Sequence, residues 1–277
     1  MFLETRWGGM SLVSLYLSVL SGLVVALQYD PGTPFYSTGV IELLAPFGHF
    51  WRSCHFYTSQ MFFLFSLFHL VVIILVKADL KMPFGKWLLL VGSVPASLLL
   101  LFSGYVLRAD ATGEAAGLIA ENITLSIPYL GDLLNSLLFA IEAEGMKRVY
   151  ANHLIGLGVV WGICCWDHLR RYRVGIGQYG GMVAAVICFC LFVPAPMEPA
   201  RLGVFHIQGP WFFLGLQELL RHLEPLSAGV FIPASLMGAL LLAPKEEQWR
   251  GRLFGFIVVW LGLYGGLTLV ALLRGYG

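Results

Sequence analysis

Seven apolar stretches, at about residues 10–28, 55–77, 87–107, 150–168, 180–195, 227–243 and 252–273, divide this chain of 277 residues. Roughly 17–25 such residues in an α-helix cross the hydrocarbon of a bilayer. Inside lipid every backbone N–H and C=O must find a partner within the protein, so stretches of this length and polarity fold as helices. The sequence therefore predicts an all-α integral membrane bundle of about seven transmembrane helices. Composition agrees: 58% of the residues are hydrophobic and 12% charged, where soluble domains run to roughly 45–50% and about 25%. A net charge of +1 offers no basic face for nucleic acid, so none is expected as a partner. The first stretch is long enough to span and has no small-residue cleavage site after it, so it reads as a retained helix.

The charges outside these stretches set an expected orientation. The amino terminus and the second, fourth and sixth connections hold Arg6, Lys77, Lys81, Lys86, Arg170, Arg171, Arg173, Lys245, Arg250 and Arg252. The other side keeps the smaller share of Lys and Arg and most of the Asp and Glu. The positive-inside rule then puts the N-terminus in the cytoplasm and the C-terminus in the periplasm of an inner (cytoplasmic) membrane protein. Two long connections, 108–148 and 196–226, contain amphipathic pieces such as 211–223 and are expected as helices at the outer surface.

Four histidines carry the chemistry. The second stretch opens at Arg52-Ser53-Cys54-His55 and contains His69; the fourth opens at Arg148 and contains His153 and His168. The intervals are 14 and 15 residues. At about 100° and 1.5 Å per residue each pair returns to one helix face, about 21–22 Å apart along the axis. Two such helices facing each other offer an imidazole pair at each of two depths, as two six-coordinate haems stacked across a membrane require. A single membrane histidine reads equally as a packing residue or proton relay. Arg52 and Arg148 sit at the outer ends of the same helices, where charge-assisted bonds to haem propionates are expected. Gly8 and Gly22, 14 apart, and Gly92, Ala96 and Gly104 give the first and third helices flat flanks for a macrocycle. The five cysteines have no CxxCH or zinc-type spacing and are expected as small buried residues.

These motifs make the chain similar to the cytochrome b family, and most to the plant-type cytochrome b of the cytochrome bf complex. The 15-residue interval between His153 and His168, the run Arg52-Ser53-Cys54-His55, Gly104-Tyr105-Val106-Leu107 and Ser126-Ile127-Pro128-Tyr129-Leu130-Gly131 carry the resemblance. Glu198-Pro199-Ala200 and Gly209-Pro210-Trp211-Phe212-Phe213-Leu214 through Arg221 resemble the three-helix subunit that accompanies the plant-type protein. The resemblance implies a four-helix dihaem domain over 1–175 fused to a three-helix domain over 176–277. It also implies metal ligation by His55 with His153 and by His69 with His168, and a basic residue, Arg173, near the inner haem and inner quinone site.

Two departures matter. The family's Pro-Glu-Trp-Tyr at the outer quinol site is Gly209-Pro210-Trp211-Phe212 here, so its glutamate is missing. Substitute proton acceptors are expected at Glu218 or His206, with Asp110 or Glu114 as further candidates; Trp211 and Phe212 are expected beside the quinone. The plant-type cysteine that binds an extra haem covalently corresponds to Arg6, so two non-covalent b haems are expected. The function implied is the membrane subunit of a quinol:cytochrome c-type oxidoreductase. Its expected partners are a Rieske iron–sulfur protein or mono- or multihaem cytochrome c subunits, quinone and the lipid bilayer, with homodimerisation compatible. A quinone-reducing anchor for a periplasmic dehydrogenase uses the same parts. A transporter with histidine proton relays is the non-redox alternative, distinguished by the absence of b-haem absorption bands.

Overall fold

A computed structural model describes residues 2–141, 145–199, 207–244 and 248–275 of the chain. Among these residues the regular structure is entirely helical. Five helices are long and apolar enough to cross a membrane: α1 (Trp7–Ala26), α3 (Gly48–Leu75), α4 (Phe84–Leu107), the Met146–Leu169 helix, and α12 (Arg250–Gly275). Between α1 and α3 lies α2 (Pro34–Leu43), and α4 is followed by α5 (Ala111–Leu125) and α6 (Gly131–Leu138). The Met146–Leu169 helix consists of α7 (Met146–Ala151), a π-helical turn at Asn152–Gly156 and α8 (Leu157–Leu169). Shorter apolar helices follow as α9 (Gly180–Phe192) and α11 (Ile232–Leu242), the latter preceded by a second π turn at Ser227–Phe231; α10 (Leu214–Leu219) lies between them. Seven apolar helices thus occupy the seven predicted stretches.

Local sequence explains the boundaries. Pro34 takes the first turn of α2, where its missing N–H costs nothing. Asp110 caps α5, its carboxylate accepting the Gly113 N–H at 3.0 Å. The extended backbone at Val193 ends α9 just before Pro194. The connection 108–148 holds two helices, as its amphipathic pattern suggests. In contrast, α2 has no counterpart in the apolar pattern, and α10 is shorter than the predicted 211–223 piece because Trp211 and Phe212 are spent on tertiary contacts.

The bundle is built as two helix pairs. α1 packs along α3, and α4 packs along α8. The later helices close on this unit at several points. α9 covers α3 where Cys54, Val186 and Cys190 are buried together. Trp87 and Val91 of α4 pack with Ala239, Leu240 and Ile257, and the Trp87 indole donates to the Leu240 carbonyl at 2.9 Å. At the same end Asp79, fully buried, accepts two hydrogen bonds from Arg250, at 2.6 and 3.1 Å. At the opposite end the Tyr57 hydroxyl donates to the Pro194 carbonyl, and Ala195 N–H donates to Ser53.

Candidate functional site: two facing histidine pairs

α3 and the α7–α8 helix run in the same direction, so their histidines meet level by level. The ring centres of His55 and His153 are 6.0 Å apart, and those of His69 and His168 are also 6.0 Å apart. An imidazole nitrogen binds a metal at about 2 Å; with the radius of each ring added, two imidazoles sharing one axial metal sit about 6 Å apart, centre to centre. Both pairs therefore suit a bis-histidine metal. A 15-residue interval opposite a 14-residue one leaves one residue surplus. The π turn at Asn152–Gly156, which contains His153, takes it up. By ordinary helical rotation 15 residues run about 60° past four full turns, and the wider turn takes up that excess.

The tautomers at the first pair follow from the hydrogen bonds. His55 Nδ1 lies 2.8 Å from the Ser18 carbonyl, which can only accept, so Nδ1 carries the proton. His153 Nδ1 lies 2.9 Å from the Ser103 hydroxyl, which itself donates to the Leu100 carbonyl at 3.0 Å. Ser103 thus accepts from Nδ1–H. Both rings keep the Nε2 lone pair for a metal, held in orientation by their second bond. Ser18 and Ser103 were not singled out in the sequence. The available signal was position: Ser18 stands one helical turn before Gly22, and Ser103 is next to Gly104.

Three of the glycines stand directly against the histidine rings, while Gly92 faces only Cys164. A Cβ added at Gly22 would come 2.8 Å from the His55 ring, at Gly104 3.2 Å from His153, and at Gly8 3.2 Å from His69. Gly22 is the tightest of the three. Gly22→Val is expected to push His55 off its axis and to lower haem occupancy at that level severalfold. The His69/His168 level should be unaffected, and a pyridine haemochrome ratio with a redox titration reads both levels.

A cavity of about 460 Å³ surrounds His55 and His153, within the range of small-molecule and cofactor sites. Gly22, Gly104, Phe56, Leu101 and Trp161 contribute to its apolar wall, and Tyr29, Arg52, Tyr105, Arg108 and Tyr150 close one end. Two of the three tyrosines at this end are tied down: Tyr29 donates to the Leu107 carbonyl at 2.7 Å and Tyr150 to the Ala26 carbonyl at 2.8 Å. Burial, and the neighbouring Tyr150 and Asp30 oxygens, push the Tyr29 phenol well above its usual range, so it stays a neutral donor. Histidine pairs, glycine flanks and an apolar chamber with a polar end fit a b-type haem.

The remaining predicted residues are distributed unevenly. Arg52 reaches the cavity wall, but its guanidinium also binds Glu42 at 2.5 Å, the Pro196 carbonyl at 3.3 Å and the Ala195 carbonyl. Burial favours the neutral Glu42 carboxyl; hydrogen bonds from Arg52 and His49 outweigh it and hold Glu42 below its usual range. Arg148 is exposed, is not among the residues lining the cavity, and stands four residues before the π turn. Arg173 is exposed just beyond α8, five residues after His168. The Trp211 indole donates to Gln60 at 2.8 Å, and the Phe212 ring packs against Tyr105 at 5.5 Å. Gln60 and Tyr105 line the cavity, so the 209–214 segment seals its side.

Glu218 differs from its expected setting. It is 2% exposed, and Arg274, His222 and Arg221 stand 3.2, 3.4 and 3.5 Å from its carboxylate. It is no lone carboxylate in apolar surroundings. α10 packs against the end of α12, and that contact, 56 residues away in sequence, brings Arg274 to it. His206 lies outside the described residues.

An all-helical membrane bundle with paired histidines and a haem-sized chamber defines a membrane cytochrome. Residues 3–170 match the family model "Cytochrome b/b6/petB", and this chain belongs to the cytochrome b family. It is 21% identical to cytochrome b of Chondrus crispus over 95% of this chain and 82% of that protein. To cytochrome b6 of Heliomicrobium gestii it is 27% identical, over 60% of this chain and 81% of that one. Its fold is similar to that of a chain in a solved "Hyperthermophilic respiratory Complex III", with a TM-score of 0.74 at 20% identity, over 96% of this chain and 82% of the other. The chain is an integral membrane, haem b-binding electron-transfer subunit of an oxidoreductase.

Proposed function

We propose that this chain carries electrons across the inner membrane through two non-covalent b haems as the membrane subunit of a quinol:cytochrome c-type oxidoreductase. The observation that carries the reading is the level-by-level pairing of four histidines at equal 6.0 Å separations. Bound there, haem would supply a one-electron centre at each level; His55 and His153, each fixed from behind by a hydrogen bond to Nδ1, would hold it at the first within an apolar wall, and His69 and His168 at the second. By the 14-residue rise of α3 the two histidine levels are about 21 Å apart.

In this reading quinone binds beside the His55/His153 level, under the segment that carries Trp211 and Phe212. The bonds of that segment to Gln60 and Tyr105 support the assignment. A second quinone site lies by Arg173 and the His69/His168 level. The two domains, 1–175 and 176–277, share the work, the first holding haem and the second roofing the quinone. Glu218 and His206 are the candidate proton acceptors of the second domain. The two arginines and His222 around Glu218 favour for it a clamp between α10 and α12 over a proton acceptor. The N-terminus is proposed to be cytoplasmic and the C-terminus periplasmic. Electrons leave to a Rieske iron–sulfur protein or to mono- or multihaem cytochrome c subunits. With electrons running inward, the same parts make an anchor for a periplasmic dehydrogenase.

The test is the purified protein's spectrum and stoichiometry. Two b haems per chain, all extractable by acid–acetone and reducible by a quinol, are expected. A preparation without b-haem bands leaves the histidine-relay transporter standing. Haem that stays on the chain in a denaturing gel contradicts the non-covalent assignment.

A further inference from the structure

Arg108 ends α4 at the wall of the cavity around His55 and His153. It is 8% exposed, and its guanidinium lies 5.0 Å from the centre of the Tyr105 ring. Nε donates to Asp110 Oδ2 at 3.0 Å, and Nη2 donates to the same oxygen. Asp110 is fully buried and already committed elsewhere. Its Oδ1 accepts from Gly113 N–H at 3.0 Å, and Oδ2 also accepts from Glu198 N–H at 2.9 Å. The strained left-handed backbone at Ala109, φ 51°, folds the chain so that the Arg108 and Asp110 side chains meet. Such strain is retained where the surroundings fix one arrangement.

That arrangement leaves one guanidinium nitrogen over. Among the described residues Nη1 of Arg108 has no protein partner. None of their side-chain nitrogens or oxygens is both sealed from solvent and unpartnered, so Nη1 keeps access to solvent, on a residue that lines the cavity. Of the two arginines at this end only Arg108 has a donor to spare, and the Tyr105 hydroxyl is a further, uncharged donor. Arg52 uses Nε, Nη1 and Nη2 on Glu42 and two backbone carbonyls, and the Tyr29 and Tyr150 hydroxyls bond to backbone. A tetrapyrrole held between two imidazoles carries carboxylates at its rim. A carboxylate taken out of water needs a charge-assisted donor.

We propose that Arg108 binds a carboxylate of the tetrapyrrole held between His55 and His153, with Asp110 fixing the guanidinium for that task. The assignment rests on the two-haem reading above. It places at residue 108 the role that the sequence suggested for Arg148. Arg108 balances the buried Asp110 carboxylate, so removing its charge would leave a negative charge beside this one metal level, which disfavours the reduced iron.

The experiment is a redox titration of the purified protein and of Arg108→Gln, preceded by the haem count of the unaltered chain. Fewer than two b haems in the unaltered chain refutes the underlying reading before any variant is compared. With two present, Arg108→Gln is expected to shift the reduced-to-oxidised ratio of the His55/His153 haem at least tenfold toward ferric. That corresponds to a midpoint at least 59 mV lower for one electron. The His69/His168 haem should be unmoved, and Arg108→Lys should stay within threefold of the unaltered chain. An unchanged midpoint overturns the proposal, whether the variant is otherwise normal or has a raised KM for quinol; the second result assigns Arg108 to quinone. Should Arg108→Gln fail to assemble, haem-free membranes of the unaltered protein are loaded with haem or with its dimethyl ester. The ester should fill the His55/His153 level at least tenfold less well, and equal filling overturns the proposal.

Discussion

Replacing His153 by alanine should halve the haem content, from two b haems per chain to one, and leave the survivor at the His69/His168 level. Two imidazoles share each metal, so losing one removes an axial ligand rather than weakening a contact. The remaining His55 would face a chamber of about 460 Å³ with no partner 6.0 Å away. His69→Ala should produce the mirror result. In both variants dithionite still reduces the remaining haem, while quinol-driven electron flow through the chain falls to background because the path is cut between levels. Haem counts and low-temperature spectra read the outcome. Two haems with unaltered bis-histidine bands in either variant would sink the pairing.

The largest effect on stability is expected at Asp79. This carboxylate is fully buried and binds Arg250 through both oxygens, while Arg250 also donates to the Ala243 and Ile74 carbonyls at 3.3 Å. Removing one partner of a buried pair leaves an uncompensated charge and costs about 3–5 kcal/mol. Asp79→Ala should therefore lower the unfolding midpoint in detergent sharply, in denaturant or heat. Removing both charges, as in Asp79→Ala with Arg250→Met, should cost far less, because no orphaned charge remains. A double variant as unstable as the single one would show that the pair contributes through something other than charge.

Much of this protein is legible in its sequence because lipid is a strict solvent. Apolar length alone predicts the spanning helices, since no other conformation satisfies the backbone there. The histidine pairing is legible for a related reason: helical periodicity fixes which residues share a face, and both helices were expected to run the same way. Residues whose placement depends on distant contacts were less legible. Arg148, on the ligand-bearing helix itself, is exposed, whereas Arg108, beside no histidine in sequence, lies on the cavity wall. Local polarity cannot distinguish these two arginines; the turn at Ala109 does. Glu218 illustrates the same limit, since its cation partner Arg274 stands at the far end of the chain. The π turn at Asn152–Gly156 was also hidden. Nothing in Asn152-His153-Leu154-Ile155-Gly156 departs from ordinary helix, and only the unequal histidine intervals required a wider turn.

The bonds that join the helices before residue 170 to those after residue 180 have a consequence for how this protein is assembled. Asp79 with Arg250, Trp87 with Leu240, Tyr57 with Pro194 and Glu198 with Asp110 all cross that boundary. They are short, 2.6 to 2.9 Å, and independent of the peptide that links the two groups of helices. The linking peptide therefore adds little to the finished structure; it acts on the search that precedes it. Two separately inserted helix groups would have to meet by diffusion in the plane of the membrane. A short tether instead presents each to the other at an effective concentration in the millimolar range. It also fixes their ratio at one to one, whatever the rate of synthesis.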